Sequence, residues 1–424
     1  MPFTNETEEK QVERAVLVGL SCPGFNADQA ADERTMDELR ALAETAGAEA
    51  VAMTLQRRPA PDARTFIGEG KAEEVKALAE ANDASLILFD NELSPSQMSN
   101  LEELTGRTVL DRSALILDIF AQRARTGEGK LQVELAQYQY ILPRLAGMGK
   151  AMSRLGGGIG TRGPGESKLE SDRRHIRSRI DKLRRDLEQV RQVRAVQRRQ
   201  RKKTELPMVA IVGYTNAGKS TLLNTLTGAG IEANDRLFDT LDPTTRKKRI
   251  SDTQEILLSD TVGFIRKLPH HLVRAFRSTL DELCYADILV VLADASDSEC
   301  AEQLRVTDSL IAQLGAGDKP VLYAFNKADL AEDGMALISG ETQNAVFISA
   351  KTGMGMDRFL DMLEALATAG TRRLTLHIPM AEQGVLNQLY RFATVEDVHY
   401  EDDRVTVTAV LDSRAQGMFK DFIV

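Results

Sequence analysis

The sequence predicts a multidomain α/β protein, and three observations carry that prediction. Short apolar runs alternate with amphipathic stretches in two separate blocks, a pair of heptad-spaced helices lies between them, and a smaller block follows the second. The chain has 424 residues, 42% of them apolar, enough for several ordinary cores and too many for a disordered chain.

In the first block, residues 1–112, VERAVLVGL (12–20), AEAVAMTLQ (48–56) and ASLILFD (84–90) read as strands, and residues 35–47 and 71–83 as helices. Strands separated by helices predict a small parallel sheet, because parallel neighbours need a crossover. The period changes in residues 113–205. Leu131, Leu135, Tyr138, Leu142 and Leu145 are spaced four, three, four, three, and Ile176, Ile180, Leu183, Leu187 and Val190 repeat that spacing. This is the seam of an antiparallel helical hairpin. Gly127 and Gly129 are expected to interrupt its first arm, and the glycine-rich segment 147–166 to form a loop at its tip. A second arm continuous over 168–200 would reach about 50 Å at ~1.5 Å per residue. Residues 206–370 return to alternation, with strands at PMVAIV, EILLSD, DILVVLAD, PVLYAFN and AVFIS. Residues 371–424 read as a small α+β unit, with LTLHIP and VTVTAV as strands and a helix over 384–392.

The formal net charge of -9 argues against a generic polyanion binder. The average hides a segregation. Residues 166–203 hold 15 Lys/Arg against 6 Asp/Glu, a local +9 that leaves -18 on the rest of the chain. Lys150, Arg154 and Arg162 add to the tip, which has no acid between Ala146 and Gly165; Arg173 and Arg174 open the second arm. A basic rod on an acidic protein marks a local anion-binding footprint, and these five side chains are its candidate RNA contacts. Cys22, Cys284 and Cys300 lack metal-ligand spacing and read as thiols of a reducing compartment. HExxH is absent, the first residues lack the basic and apolar regions of a signal peptide, and no apolar run is long enough to span a bilayer. A cytoplasmic monomer is expected.

The chemistry lies in four motifs, each at a strand end. GYTNAGKST (213–221) follows PMVAIV and opens a helix. Gly213, Tyr214, Thr215, Asn216, Ala217 and Gly218 would wrap phosphate with backbone N–H groups at a helix N-terminus. Lys219 would reach the β- and γ-phosphates, and the Ser220 hydroxyl, beside Thr221, would ligate Mg²⁺. Asp260, Thr261, Val262 and Gly263 form DTVG after EILLSD; Asp260 would hold Mg²⁺ through water and the Gly263 N–H would meet the γ-phosphate. Asn326, Lys327 and Asp329 of NKAD select the base. Guanine presents an N1–H and an amine side by side, and one carboxylate accepts both; adenine offers no such pair. Ser349, Ala350 and Lys351 close the site, with the Ala350 N–H expected on the guanine oxygen. A threonine of RLFDTLDPTTRKK (236–248), one of Thr240, Thr244 and Thr245, should close over Mg²⁺ as a switch. The motif set predicts a GTP-hydrolysing domain of the P-loop fold.

The chain resembles the HflX family of GTPases, related to the Obg and Era groups. Beyond the four motifs, LSPSQMSNLEE (93–103), VLDRSALILDIFAQRART (109–126), GKLQVELAQYQYILPRL (129–145) and GGGIGTRGPGESKLESDRR (156–174) carry the likeness. It implies an N-terminal α/β domain with a helical hairpin, a GTPase domain and a C-terminal extension. FDTLD fits the family's switch, which makes Thr240 the metal ligand and places Phe238, Asp239, Leu241 and Asp242 at the nucleotide; Lys219, Thr240 and Gly263 are then the catalytic set. The resemblance also implies a partner, the large ribosomal subunit with its rRNA and ribosomal proteins, bound in the GTP state to split stalled or idle ribosomes under stress. Phe264 stands where many GTPases place a water-orienting glutamine, so intrinsic hydrolysis should be slow. Asn216 is placed like the residue that holds K⁺ in related GTPases, and His270 and His271 lie in the switch that follows Gly263. A second reading, an RNA-remodelling protein with an ATP site at GEGKAEE (68–74), rests on one glycine turn that an ordinary helix start explains as well. NKAD and SAK disfavour a metabolic kinase.

Overall fold

The computed structural model describes residues 12–25, 31–152, 168–201, 206–228, 237–238, 245–251, 254–261, 263–267, 269, 272, 283–331, 344–369, 372–401, 403–411 and 413–424. The first unit runs β1 (Glu13–Ser21), α1 (Glu33–Ala46), β2 (Ala48–Arg57), α2 (Glu69–Ala81), β3 (Leu86–Phe89), α3 (Pro95–Thr105), β4 (Thr108–Asp111) and α4 (Arg112–Arg123). Its sheet has the order β2-β1-β3-β4 and is parallel throughout, as the alternation predicts. Helices cover both faces, so Ala15 to Leu20 of β1 are all buried and show no polar alternation. Met36, Leu39 and Leu42 of α1 pack with Leu115, Ile116 and Phe120 of α4 on one face; Ala72 and Val75 of α2 pack with Leu101 of α3 on the other. The turn at GEGKAEE is the start of α2, with Gly68 at φ +85° as its cap.

The hairpin pairs α5 (Gly127–Met152) with α6 (Lys168–Arg201). Leu135, Ile180, Leu183 and Leu187 are buried in its seam, flanked by Leu131, Tyr138, Leu142 and Ile176, as the heptads predict. Two expectations need correction. Gly127 and Gly129 do not interrupt the first arm but begin it: Thr126 caps the helix, accepting from Gly129 N at 2.9 Å, and the first turn has unbonded N–H groups to satisfy in any sequence. Nor does the loop start at 147, since α5 continues to Met152. Glycine in a helix costs only about 1 kcal/mol relative to alanine, which extension of an existing helix can absorb. The rest of the tip lies outside the described residues. No helix among those described is long and apolar enough to cross a membrane.

The third unit runs β5 (Met208–Gly213), α7 (Lys219–Thr227), β6 (Thr245–Arg249), β7 (Glu255–Asp260), β8 (Ile288–Asp294), α8 (Cys300–Gln313), β9 (Val321–Asn326), β10 (Ala345–Phe347) and α9 (Met356–Thr368). The sheet order is β10-β9-β8-β5-β7-β6, and only β6 is antiparallel to its neighbour. β6, TRKKR, has no apolar signal and escapes sequence reasoning; it is an edge strand held by its ladder to β7. The C-terminal unit runs β11 (Arg372–Pro379), α10 (Gln383–Phe392), β12 (Thr394–Tyr400), β13 (Arg404–Leu411) and α11 (Ser413–Met418), with an antiparallel sheet β11-β13-β12.

The first and third units share a core. Tyr214, Phe238, Ile265 and Leu272 join the α1/α4 cluster, and the Phe238 ring meets Phe120 edge-on at 4.8 Å between centroids. Beside this apolar contact lies a buried charged network. Arg112 donates to Asp90 Oδ1 at 2.8 Å, to the Glu38 carboxylate and to the Arg266 carbonyl at 3.0 Å. Lys267 Nζ donates to the other Asp90 oxygen at 2.6 Å. The Tyr214 hydroxyl donates to Glu38 and accepts from Arg266 N at 2.8 Å. Burial pulls the Arg112 guanidinium down, but the Glu38 and Asp90 carboxylates outweigh it and hold its pKa above the ordinary arginine value. Burial lowers that of Lys267, with Asp90 opposing. Removing Asp90 would leave two buried cations short of a counter-charge. We expect Asp90→Ala to destabilise the protein by about 3–5 kcal/mol in urea unfolding.

Candidate functional site

β5, β7 and β9 all end at the same edge of the six-stranded sheet, where open α/β sheets bind ligands. The loop after β5 turns into α7 through two glycines. Gly213 has φ +153° and Gly218 φ +92°. A Cβ at Gly213 would lie 2.1 Å from the Leu292 carbonyl oxygen, and one at Gly218 would lie 2.3 Å from Asn326 Nδ2. Both positions therefore need glycine for space as well as conformation. Lys219, the first residue of α7, is buried and donates to the carbonyls of Gly213 (3.1 Å) and Tyr214 (2.7 Å). Burial brings its pKa down to about 8, with Asp260 opposing.

Ser220 Oγ donates to Asp260 Oδ2 at 3.2 Å, and Thr261 N donates to Asp260 Oδ1 at 2.9 Å. A hydroxyl and a carboxylate beside a phosphate loop are the oxygen donors that Mg²⁺ takes when it keeps most of its waters. Gly263 packs on the loop: a Cβ there would stand 2.8 Å from Thr215 Cγ2 and 3.0 Å from Lys219 Nζ.

Asn326 ties the P-loop to the backbone at Ala350. Its Nδ2 donates to the Ala217 carbonyl at 2.8 Å and its Oδ1 accepts from Ala350 N at 2.9 Å. The Ala350 N–H, the donor expected for the guanine oxygen, here donates to the buried amide oxygen of Asn326. Lys327, at φ +59°, is paired with Asp294 Oδ2 at 2.6 Å, and Asp329 is exposed at the rim. Ser349 Oγ accepts from Thr352 N at 3.1 Å, and Lys351 follows at the surface. Of the switch candidates, Thr245 is in β6 opposite Ser259. Asp239, Thr240, Leu241, Asp242, Thr244, Val262, His270 and His271 lie outside the described residues, as do Arg154, Arg162 and the Lys150 side chain. Arg173 is half-buried and Arg174 exposed on α6. Sequence reasoning missed Glu38, Asp90, Arg112 and Asp294. None was given a role by spacing, and only folding brings Glu38 to Tyr214, Asp90 and Arg112 to Lys267 and Arg266, and Asp294 to Lys327.

A glycine loop at a strand end, a carboxylate on the neighbouring strand bonded to the first helical hydroxyl, and NKAD two strands away define a P-loop guanine-nucleotide-binding protein. Family profiles match along the chain: "GTP-binding GTPase N-terminal" over 33–121, "GTP-binding GTPase Middle Region" over 123–201 and "50S ribosome-binding GTPase" over 208–327. The GTPase HflX of Caldanaerobacter subterraneus subsp. tengcongensis is 45% identical over 97% of this chain and 94% of its own, and that of Escherichia coli K12 42% identical over 92% and 91%. A crystal structure of SsGBP with GDP is 27% identical, with a TM-score of 0.50 over 84% of this chain and 99% of that one. The chain belongs to the HflX family of GTPases, and it binds and hydrolyses GTP.

The lowered pKa of Lys219 has a measurable consequence. In the nucleotide-free protein the amine loses its proton as pH rises through about 8, whereas polyphosphate favours the charged form. GDP affinity should therefore fall above pH ~8, by up to about tenfold per unit, with proton uptake on binding seen by calorimetry in buffers of different ionisation heat. For folding the sign is opposite: the burial penalty is full below the folded pKa and is relieved as pH rises from about 8 toward the ordinary 10.5.

Proposed function

We propose that this GTPase binds the large ribosomal subunit in its GTP state, splits stalled or idle ribosomes in the cytoplasm, and is released by hydrolysis. The observation that carries the reading is the α5–α6 hairpin, whose second arm lies within the stretch 166–203 that holds a net +9 on an otherwise acidic chain. Binding to rRNA is largely phosphate neutralisation, and such a rod supplies it. The description of the profile over 208–327 supports the same partner. Ser220 and Asp260, with Thr240 from the switch, would hold Mg²⁺. Asn216, exposed in the loop at φ +63°, would hold K⁺.

The test is GTP hydrolysis with and without purified large subunits, alongside sedimentation with a non-hydrolysable GTP analogue. Stimulation and GTP-dependent co-sedimentation are expected, both weakened by Arg173→Glu with Arg174→Glu; neither effect with wild-type protein would remove the ribosome as partner. Hydrolysis should also run faster in K⁺ than in Na⁺ at equal ionic strength, and equal rates would remove K⁺ from the site.

A further inference from the structure

Guanine presents two donors side by side, and a carboxylate that reads them must have both oxygens open. Asp329 is the residue expected to do this, yet NKAD puts a lysine two positions before it. Lys327 and Asp329 share one turn, closed by Leu330 N donating to the Lys327 carbonyl at 2.9 Å. A lysine carries a compact charge on a flexible four-carbon stem, long enough to reach a carboxylate in its own turn. Left to itself, that ammonium would compete with the base for Asp329.

The fold removes the competitor. Lys327 Nζ lies 2.6 Å from Asp294 Oδ2, with the two side chains 27% and 15% exposed. Asp294 ends β8 opposite Asn326 in the ladder to β9, which sets it beside the start of the turn. Its other oxygen accepts from Ser296 N at 3.0 Å and from Ser296 Oγ at 2.6 Å, which fixes the carboxylate. The backbone around Lys327 is tied on both sides: Ala295 N donates to the Asn326 carbonyl at 2.7 Å, and Ala328 N to that of Ile348 at 3.1 Å. Lys327 itself is at φ +59°, a left-handed conformation that lysine keeps only where its surroundings impose it. Asp329, by contrast, is exposed, and its carboxylate has no hydrogen bond or ion pair among the described residues. One carboxylate thus takes the ammonium and the other is left open.

We propose that Asp294 is a positioning residue for base selection. It draws the Lys327 ammonium to the end of β8 and so keeps both Asp329 oxygens free for the N1–H and amine of guanine. The inference rests on the base-site reading of Asp329.

The test uses Asp294→Asn in the full chain. Asparagine keeps the oxygen that holds Ser296 and loses the charge that holds Lys327. GDP affinity, measured by calorimetry, should fall about fivefold, the strength of an exposed ion pair that guanine must now displace. Two double-mutant cycles locate the effect. In a Lys327→Met background, which keeps the stem and loses the ammonium, Asp294→Asn should cost nothing further; in an Asp329→Ala background it should again cost nothing further. The ratio of wild-type to variant affinity should also shrink at about 1 M salt, where an exposed pair is screened. Wild-type GDP affinity in Asp294→Asn would overturn the proposal. So would a loss that persists undiminished in the Lys327→Met background, which marks a role in holding the loop rather than the lysine. If Asp329→Ala alone leaves GDP affinity intact, it is the base-site reading that fails.

Discussion

Asp90 holds two cations from opposite sides, Arg112 of its own unit and Lys267 of the GTPase unit. Buried charges are tolerated only when paired, and Asp90 is the one carboxylate that the Lys267 ammonium bonds among the described residues, so breaking that contact leaves a buried cation without its partner. Through Arg112 and Glu38 the same network reaches the Tyr214 hydroxyl and the Arg266 backbone. Tyr214 belongs to the phosphate loop, and Arg266 and Lys267 follow Gly263. The N-terminal unit is thus part of the nucleotide site's architecture, and any rearrangement after Gly263 works against charges held in the other unit.

Close approach is the second constraint. Gly213 against Leu292 and Gly218 against Asn326 leave no room for a side chain, which lets the loop amides turn inward over phosphate. Asn326 then joins that loop to the Ala350 backbone through one amide group. The P-loop and the segment at Ala350 therefore share one buried side chain.

The four nucleotide motifs were legible because phosphate, Mg²⁺ and guanine each demand particular groups at strand ends. The hairpin seam was legible because heptad burial leaves a periodic trace in Leu and Ile. β6 and β12 were not legible: TRKKR and TVEDVHY are polar edge strands, and their order comes from ladder bonds to a neighbouring strand rather than from an apolar pattern of their own. Gly127 and Gly129 misled for a related reason, since a cap from Thr126 and packing at the hairpin base override a weak local propensity.

Residue type and spacing were enough to specify the nucleotide class, the charge of the hairpin and an apolar side chain at 264. Folding was needed to bury Phe264 in the core of the third unit, to bring Glu38 to Tyr214 of the P-loop, and to bring Arg112 and Asp90 to Arg266 and Lys267, each from more than a hundred residues away. Those facts depend on which buried polar groups find partners, and partners distant in the chain leave no periodic or local mark.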